Sequence, residues 1–198
     1  MKKGHLIIFY SLEEYDIVVP YIYRKEGTHM ELRQLRTNDA EDYFSLRLEA
    51  LQQSPDAFAT TYEEEKNQTA AKYKERFTDP VNSFTFGAFE ENELVGVVTL
   101  FREPLIKLNH RATIVAMYIK PEKRGSGLGK ILIYKAIEKA KSLEGVEQIY
   151  LSVVSTNIPA IKLYTTCGFS IYAKEKRALK VDNTYYDEEH MVLYLVNN

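Results

Sequence analysis

A mixed α/β (α+β) domain is the fold class this sequence predicts, and three observations predict it. Segments with the two-residue apolar alternation of strands interleave with segments of helical period. Their order is strand, two helices, three strands, helix, strand, helix, two strands. One basic, glycine-rich turn, Lys123-Arg-Gly-Ser-Gly-Leu-Gly-Lys130, joins a strand directly to a helix. The 198 residues, 45% of them hydrophobic, suffice for one buried core and fall short of two full domains. No internal repeat or low-complexity tract interrupts this order.

Residues 1–29 read as an N-terminal extension, an extra hairpin or an arm, because two β-like pieces, His5 to Tyr10 and Ile17 to Tyr23, flank Ser11 to Asp16. A second reading starts translation at Met30, since Lys25-Glu26-Gly27 can be encoded by a purine-rich ribosome-binding sequence. An N-terminal mass from the native organism that retains residues 1–29 contradicts that reading. The main domain then spans 30–198. Glu31 to Arg36 alternates as a strand, and Asn38 or Asp39 can cap a helix carrying Ala40, Tyr43, Phe44, Leu46, Leu48 and Leu51 up to Ser54-Pro55. Asp56 to Glu65 is expected to be a loop, and Ala70 to Phe77 a second short helix. Ser83 to Glu90 and Glu93 to Arg102 form a hairpin around Glu91-Asn92. Arg111 to Ile119 is the strand that enters the glycine turn. The helix beyond it buries Leu128, Leu132, Ile133, Ala136, Ile137 and Ala140, and Gly145 can stop it. Gln148 to Val154 is a strand, Asn157 can cap the next helix, with Pro159 tolerated in its first turn, and Gly168 ends it. Phe169 to Val181 and Glu189 to Val196 are the last strands.

The glycine turn is built to hold a phosphate. Gly125, Gly127 and Gly129 allow left-handed backbone and close ligand approach, the helix presents its positive dipole end, and Lys123, Arg124 and Lys130 add positive charge. Two better-known loops fail on spacing. Counting G-x-G-x-x-G from Gly125 puts Lys130 at the last glycine, and a Walker loop would need glycine at Arg124 and Ser or Thr at Ile131.

What remains, Arg124-Gly-x-Gly-x-Gly129 after a strand and Pro121-Glu122, resembles the pyrophosphate loop of the GCN5-related N-acetyltransferases (GNAT superfamily). Asn157-x-x-Ala160-x-x-x-Tyr164-x-x-x-Gly168-Phe169 is similar to a second motif of that family, and together the two motifs and the element order cover the chain from about Met30 onward. The resemblance implies a mixed, mostly antiparallel central sheet of six to seven strands flanked by about four helices. It implies a splayed strand pair at an acetyl-CoA site, with acetyl-CoA as cosubstrate and no metal. Met117, Tyr118 and Ile119 are then expected to pair with the pantetheine arm. Arg124, Gly125, Ser126, Gly127, Leu128, Gly129 and Lys130 hold the diphosphate, and Asn157 approaches the pantetheine, although helix capping accounts for Asn157 equally well. Tyr164 is the expected catalytic residue, protonating the departing CoA thiolate. A phenol of pKa ~10 is protonated at neutral pH, and a thiolate of pKa ~8.5 already leaves fairly well.

Ala116 and Ser152 stand where family members carry a glutamate that acts as base, so the base either comes from elsewhere, with Glu63, Glu64 or Glu65 acting through water as the candidates, or is needed only weakly. A site without a strong base favours acceptors of low pKa. At pH 7 an amine of pKa ~7.9 is ~10% neutral and one of pKa ~10.4 about 0.04%, a difference of about 3.4 kcal/mol. The implied activity is acetyl transfer to a primary amine of a small molecule or a peptide N-terminus. The competing reading of the missing glutamates is a non-catalytic acyl-CoA-binding module on the same fold.

Net charge is −2, with both signs spread along the chain, which argues against nucleic acid or an anionic membrane as partner. No run approaches the ~20 apolar residues of a membrane span, and the apolar stretch Leu6 to Phe9 is too short for an export signal. Cys167 is the only cysteine, a packing residue beside Gly168, and its isolation fits a reducing cytoplasm. Terminal strands with open edges lead us to expect a homodimer.

Overall fold

In the computed structural model, which describes residues 21–25, 28–78 and 80–195, one eight-stranded sheet runs through the molecule. Its strands are β1 (Tyr21–Lys25), β2 (Thr28–Gln34), β3 (Ser83–Glu90), β4 (Glu93–Arg102), β5 (Arg111–Ile119), β6 (Gln148–Val154), β7 (Ser170–Val181) and β8 (Thr184–Tyr194). They are ordered β1-β2-β3-β4-β5-β6-β8-β7, and every pair is antiparallel except β5 with β6. The mixed, mostly antiparallel sheet expected from the sequence is present, and β1 adds an edge strand by pairing Tyr21 with Leu32. The piece His5 to Tyr10 and the first residues of Ile17 to Tyr23 lie outside the described residues. Among the described residues five α-helices flank the sheet: α1 (Ala40–Gln53), α2 (Tyr62–Glu65), α3 (Ala71–Thr78), α4 (Leu128–Ser142) and α5 (Ile158–Thr166).

Local chemistry sets these boundaries. Asp39 stands before α1 with its carboxylate taken by both Arg33 guanidinium nitrogens, at 2.6 and 2.8 Å, and by the Arg36 amide at 2.6 Å, so it fastens the start of α1 to β2. The stretch expected as a loop contains one helical turn, α2, because the Thr61 and Glu64 side chains cap each other's amides. Glu91 and Asn92 both take positive φ (+49° and +73°), the conformation a two-residue hairpin turn demands. The final hairpin is longer than expected. β8 begins at Thr184, so Tyr185, Tyr186 and Asp187 lie within it, and the turn shrinks to Asp182-Asn183.

Two apolar clusters sandwich the sheet. On one face Leu132, Ile133, Ala136 and Ala140 of α4 are fully buried against Ile149, Val98 and Leu100. Burial of each large aliphatic side chain there is worth about 1.5–3 kcal/mol. Strand alternation sends Ile149, Leu151 and Val153 of β6 to this side and Tyr150 and Ser152 to the other. On that other face α1 and α3 pack Tyr43, Leu46, Tyr73 and Phe77 onto Val97 and Tyr118. The buried hydroxyls of Thr85 and Thr99 bond each other at 2.9 Å between β3 and β4.

Candidate functional site

The sheet opens at β5 and β6. They pair in parallel over Arg111–Gln148, Ala112–Ile149 and Thr113–Tyr150 only, and beyond that rung they diverge into a wedge. Opposite Val98, β5 carries an extra residue, with the register slipping between Val97–Tyr118 and Thr99–Val115. Ala116 in this bulge has φ +52°, a strained conformation for a residue with a Cβ, costing about 1–3 kcal/mol. The Lys120 amide donates to the Val95 carbonyl, so alternation turns the Ile119 carbonyl towards the wedge, where Arg124 Nε reaches it at 3.0 Å. Tyr118 pairs with Val97 in the ladder and sends its ring to the α1 face.

The glycine turn closes the wide end of this wedge. Gly125 (φ +73°) and Gly127 (φ +91°) are left-handed, and an added Cβ at either would meet nothing within 4 Å. The left-handed backbone, rather than neighbouring protein, therefore favours glycine there. Gly129 differs from expectation. It lies inside α4 with ordinary helical backbone, and a Cβ there would press on Leu163 at 3.0 Å and Ile119 at 3.2 Å, so it is a close-packing glycine. Among the described residues the amides of Gly125, Ser126, Gly127, Leu128 and Gly129 donate to no protein acceptor, and they stand at the positive end of α4. The cations divide into two sets. Lys123 is held by Glu90 and Lys120 by Glu93, whereas Arg124 and Lys130 have no carboxylate partner among the described residues.

Across the wedge, the Asn157 Oδ1 accepts the Ala160 amide at 3.2 Å, which commits its oxygen to capping α5 and leaves its NH2 donors for another partner. The Tyr164 ring is buried, 7% exposed, edge-on to Phe169 at 6.2 Å. Burial, and secondarily the nearby Cys167, push its phenol up to about 12. It thus stays protonated at neutral pH, which leaves its O–H available as a hydrogen-bond donor. A hydrogen bond towards a sulfur gaining charge is the role that fits. Burial also raises the Cys167 thiol, with Lys130 offsetting part of the effect, as suits a packing residue.

The α1 face of the wedge holds a small pocket lined by Tyr43, Arg47, Phe58, Val97, Ala116 and Tyr118. At its rim the Tyr118 hydroxyl donates to Glu49 Oε1 at 2.9 Å, and Lys120 lies 3.7 Å from the other Glu49 oxygen. Burial and then Glu49 push the Tyr118 phenol up to about 12. The acidic triplet is engaged elsewhere. Glu63 pairs with Lys66 at 2.5 Å, and Glu64 caps Thr61. Glu65 is 3% exposed and takes the Tyr73 hydroxyl at 2.5 Å and Lys72 at 3.1 Å. Glu63 and Glu64 thus stay within the α2 turn, and Glu65 ties that turn to α3.

Ser152 instead enters a chain of side chains that sequence reasoning did not reach. Its Oγ lies 2.8 Å from His190 Nδ1, and His190 Nε2 lies 3.1 Å from Glu175 Oε2. The three come from β6, β8 and β7, joined by the Ser152–His190 rung and the neighbouring Ala173–His190 rung. Glu49 escaped for the same reason, since its partner Tyr118 is 69 positions away. Only strand order and register could have found these contacts. Among the described residues no cluster of His, Cys, Asp and Glu could hold a metal, and no helix is long and apolar enough to cross a membrane.

The wedge fits a CoA thioester on three observations: free amides at the glycine turn, empty space where its Cβ atoms would be, and an unpaired strand edge leading from that turn to the pocket. Comparisons with known proteins agree. The chain is 28% identical over 103 residues to the spermidine N(1)-acetyltransferase of Vibrio cholerae, covering 52% of this chain and 58% of that protein. It is 35% identical over 86 residues to the spermine/spermidine N(1)-acetyltransferase of Bacillus subtilis, covering 42% and 57%. The chain thus spans just over half the length of these relatives. A GNAT-family acetyltransferase from Streptococcus pneumoniae superposes with a TM-score of 0.77 at 19% identity, over 84% of this chain and 99% of that one. The yncA protein of Salmonella typhimurium, solved with its cofactor acetyl-CoA, superposes with a TM-score of 0.73 at 19% identity, over 85% and 95%. These two show the shared fold. The sequence model of the acetyltransferase (GNAT) family matches residues 46–169, more than half of the chain, from α1 to the end of the second motif, and the protein belongs to that family.

Proposed function

We propose that the protein is an acetyl-CoA-dependent N-acetyltransferase that acetylates a primary amine of a small molecule by direct attack in a ternary complex. The observation that carries this reading is the glycine turn, whose five amides without a protein acceptor and two cations without a carboxylate partner among the described residues, Arg124 and Lys130, suit a diphosphate. Acetyl-CoA supplies an activated thioester acyl group when bound. Arg124 and the amides of residues 125–129 fix its charged end, and the open edge of β5 at Met117 and Ile119 guides the pantetheine arm into the wedge. The Asn157 NH2 group points the same arm towards Tyr164, whose hydroxyl hydrogen-bonds the sulfur. The acceptor enters from the α1 face, where Glu49 gives a cation favourable surroundings, and the names of the matched relatives point to a polyamine-like amine.

The test is release of free CoA thiol from acetyl-CoA with a panel of primary amines that includes spermidine and a peptide N-terminus. The reading predicts saturable, amine-dependent release. Acetyl-CoA binding without turnover on any amine would support a non-catalytic acyl-CoA-binding module, and absence of acetyl-CoA binding would discard both.

A further inference from the structure

The Ser152–His190–Glu175 chain lies on the solvent side of the sheet beside the wedge, outside the donor contacts. Ser152 sits two residues past Tyr150, the last β6 residue paired with β5, so it projects where the strands have parted. It is exposed, and alternation puts it on the α1 face, together with Ala116 and Tyr118 of the pocket. The turn Pro55–Ala57, which leads into Phe58 of that pocket, packs against β6 and β7, so one loop borders both the pocket and the strands that carry the relay. Hydrogen-bond chemistry fixes the direction of the chain. A carboxylate only accepts, so in the neutral imidazole the proton on His190 Nε2 points to Glu175, and Nδ1 is left as an acceptor for the Ser152 hydroxyl.

We propose that Ser152, His190 and Glu175 form a proton relay that takes the proton from the acceptor ammonium, with Ser152 touching the amine and His190 receiving the charge. This rests on the N-acetyltransferase reading. One ammonium proton passes to Ser152 Oγ as the serine hydroxyl proton passes to His190 Nδ1, giving a neutral amine and an imidazolium held by Glu175. The amine nitrogen then bonds the acetyl carbon and the carbon–sulfur bond breaks. The second nitrogen proton ends on the CoA thiolate, and His190 returns the first to solvent. Ser152 is the contact residue, and His190 and Glu175 act through it.

The surroundings suit a site that must accept a positive charge. Glu188 neighbours His190 on β8, and its carboxyl is raised by burial first, lowered by His190 and raised again by Glu175. Tyr172 of β7 lies tilted 6.1 Å from the His190 ring and Tyr150 of β6 meets Tyr172 edge-on at 5.6 Å, so an aromatic pair flanks the imidazole. Asp56 is the charged residue of the Pro55–Ala57 turn on this face. No lysine or arginine contacts the imidazole among the described residues.

The test uses the full chain, acetyl-CoA and the amine that gives the highest rate in the panel above, with kcat/KM followed from about pH 6 to about pH 10. Ser152→Ala and His190→Gln are expected to lower kcat/KM about 100-fold at pH 7 while the acetyl-CoA Kd stays within about twofold. The deficit shrinks to within about threefold near the amine's own pKa of ~10, where the acceptor needs no base. Ser152→Thr, which keeps the hydroxyl, restores most of the neutral-pH rate. Variants within about threefold of wild type at pH 7 would overturn the relay, as would a deficit unchanged across pH. An acetyl adduct on Ser152 by intact mass would also overturn it, making the serine a nucleophile. A wild type that turns over no amine sinks the transferase reading and the relay with it, whereas wild-type turnover with unaffected variants sinks the relay alone.

Discussion

The donor half of the cleft and its acceptor half are built from different materials. On the proposed donor side, residues 119–130 offer backbone: two left-handed glycines, five amides without protein partners among the described residues, and a helix end, all within one continuous stretch. The acceptor half is a meeting of side chains from α1, β5, β6, β7 and β8, in which Glu49 reaches Tyr118 and Ser152 reaches Glu175 through His190. A backbone device is tied to one short sequence and tolerates change in its non-glycine positions. A side-chain device can be rewritten residue by residue without touching the fold, so one scaffold can keep its donor while its acceptor changes.

Variants on the two sides should therefore fail differently. The largest expected effect is at Gly127, where any side chain imposes left-handed strain of about 1–2 kcal/mol and fills the space meant for ligand. Gly127→Val should weaken acetyl-CoA binding about 100-fold by calorimetry and leave the thermal midpoint within a few degrees. Asp39→Asn comes next, on the acceptor wall, where it removes the charge and one arm of the bidentate pairing with Arg33 and should cost about 2 kcal/mol in chemical denaturation. Burial alone would raise the Asp39 carboxyl, but the Arg33 bonds and the Arg36 amide outweigh it and hold the group below the usual carboxylate range. The associated stability is fully present above the unfolded pKa of ~3.9 and is lost as pH falls through the lower folded value, and the variant should lack that acid-limb dependence. Tyr164→Phe should lower kcat about tenfold at constant amine KM, since it removes one hydrogen bond to the sulfur. The smallest effect is expected from Glu64→Gln, which trims the Thr61 cap by about 0.5–1 kcal/mol and leaves kcat/KM within about twofold. A large kinetic loss in that last variant would return the acidic triplet to the chemistry and undo the division drawn between wall and site.

The same division explains what could be read before the structure. Arg124 to Gly129 and the Asn157–Tyr164–Phe169 spacing were legible because each is local, and local spacing fixes local backbone. The buried stripe of α4 was legible for the same reason, since Leu132, Ile133 and Ala136 follow the helical period. Gly129 shows the limit of such reasoning. Glycine at that position answers to Leu163 and Ile119, which are neighbours only in three dimensions. The final hairpin was misjudged because Tyr185, Tyr186 and Asp187 look like a loop next to Asp182-Asn183, yet cross-strand pairing with Glu175 to Val181 carries them into β8. Ser152 was noticed only as a missing glutamate. Its bond to His190 depends on β8 inserting between β6 and β7, an order that no local pattern encodes.

The central claim is that a diphosphate-bearing donor is held by the backbone of residues 124–130, and comparing calorimetric titrations of acetyl-CoA and S-acetylpantetheine tests it most directly. The second ligand keeps the thioester and the arm but lacks the diphosphate. Saturable acetyl-CoA binding with S-acetylpantetheine at least about 100-fold weaker is the predicted result. Equal affinity for the two ligands, or no heat with acetyl-CoA, would contradict the account.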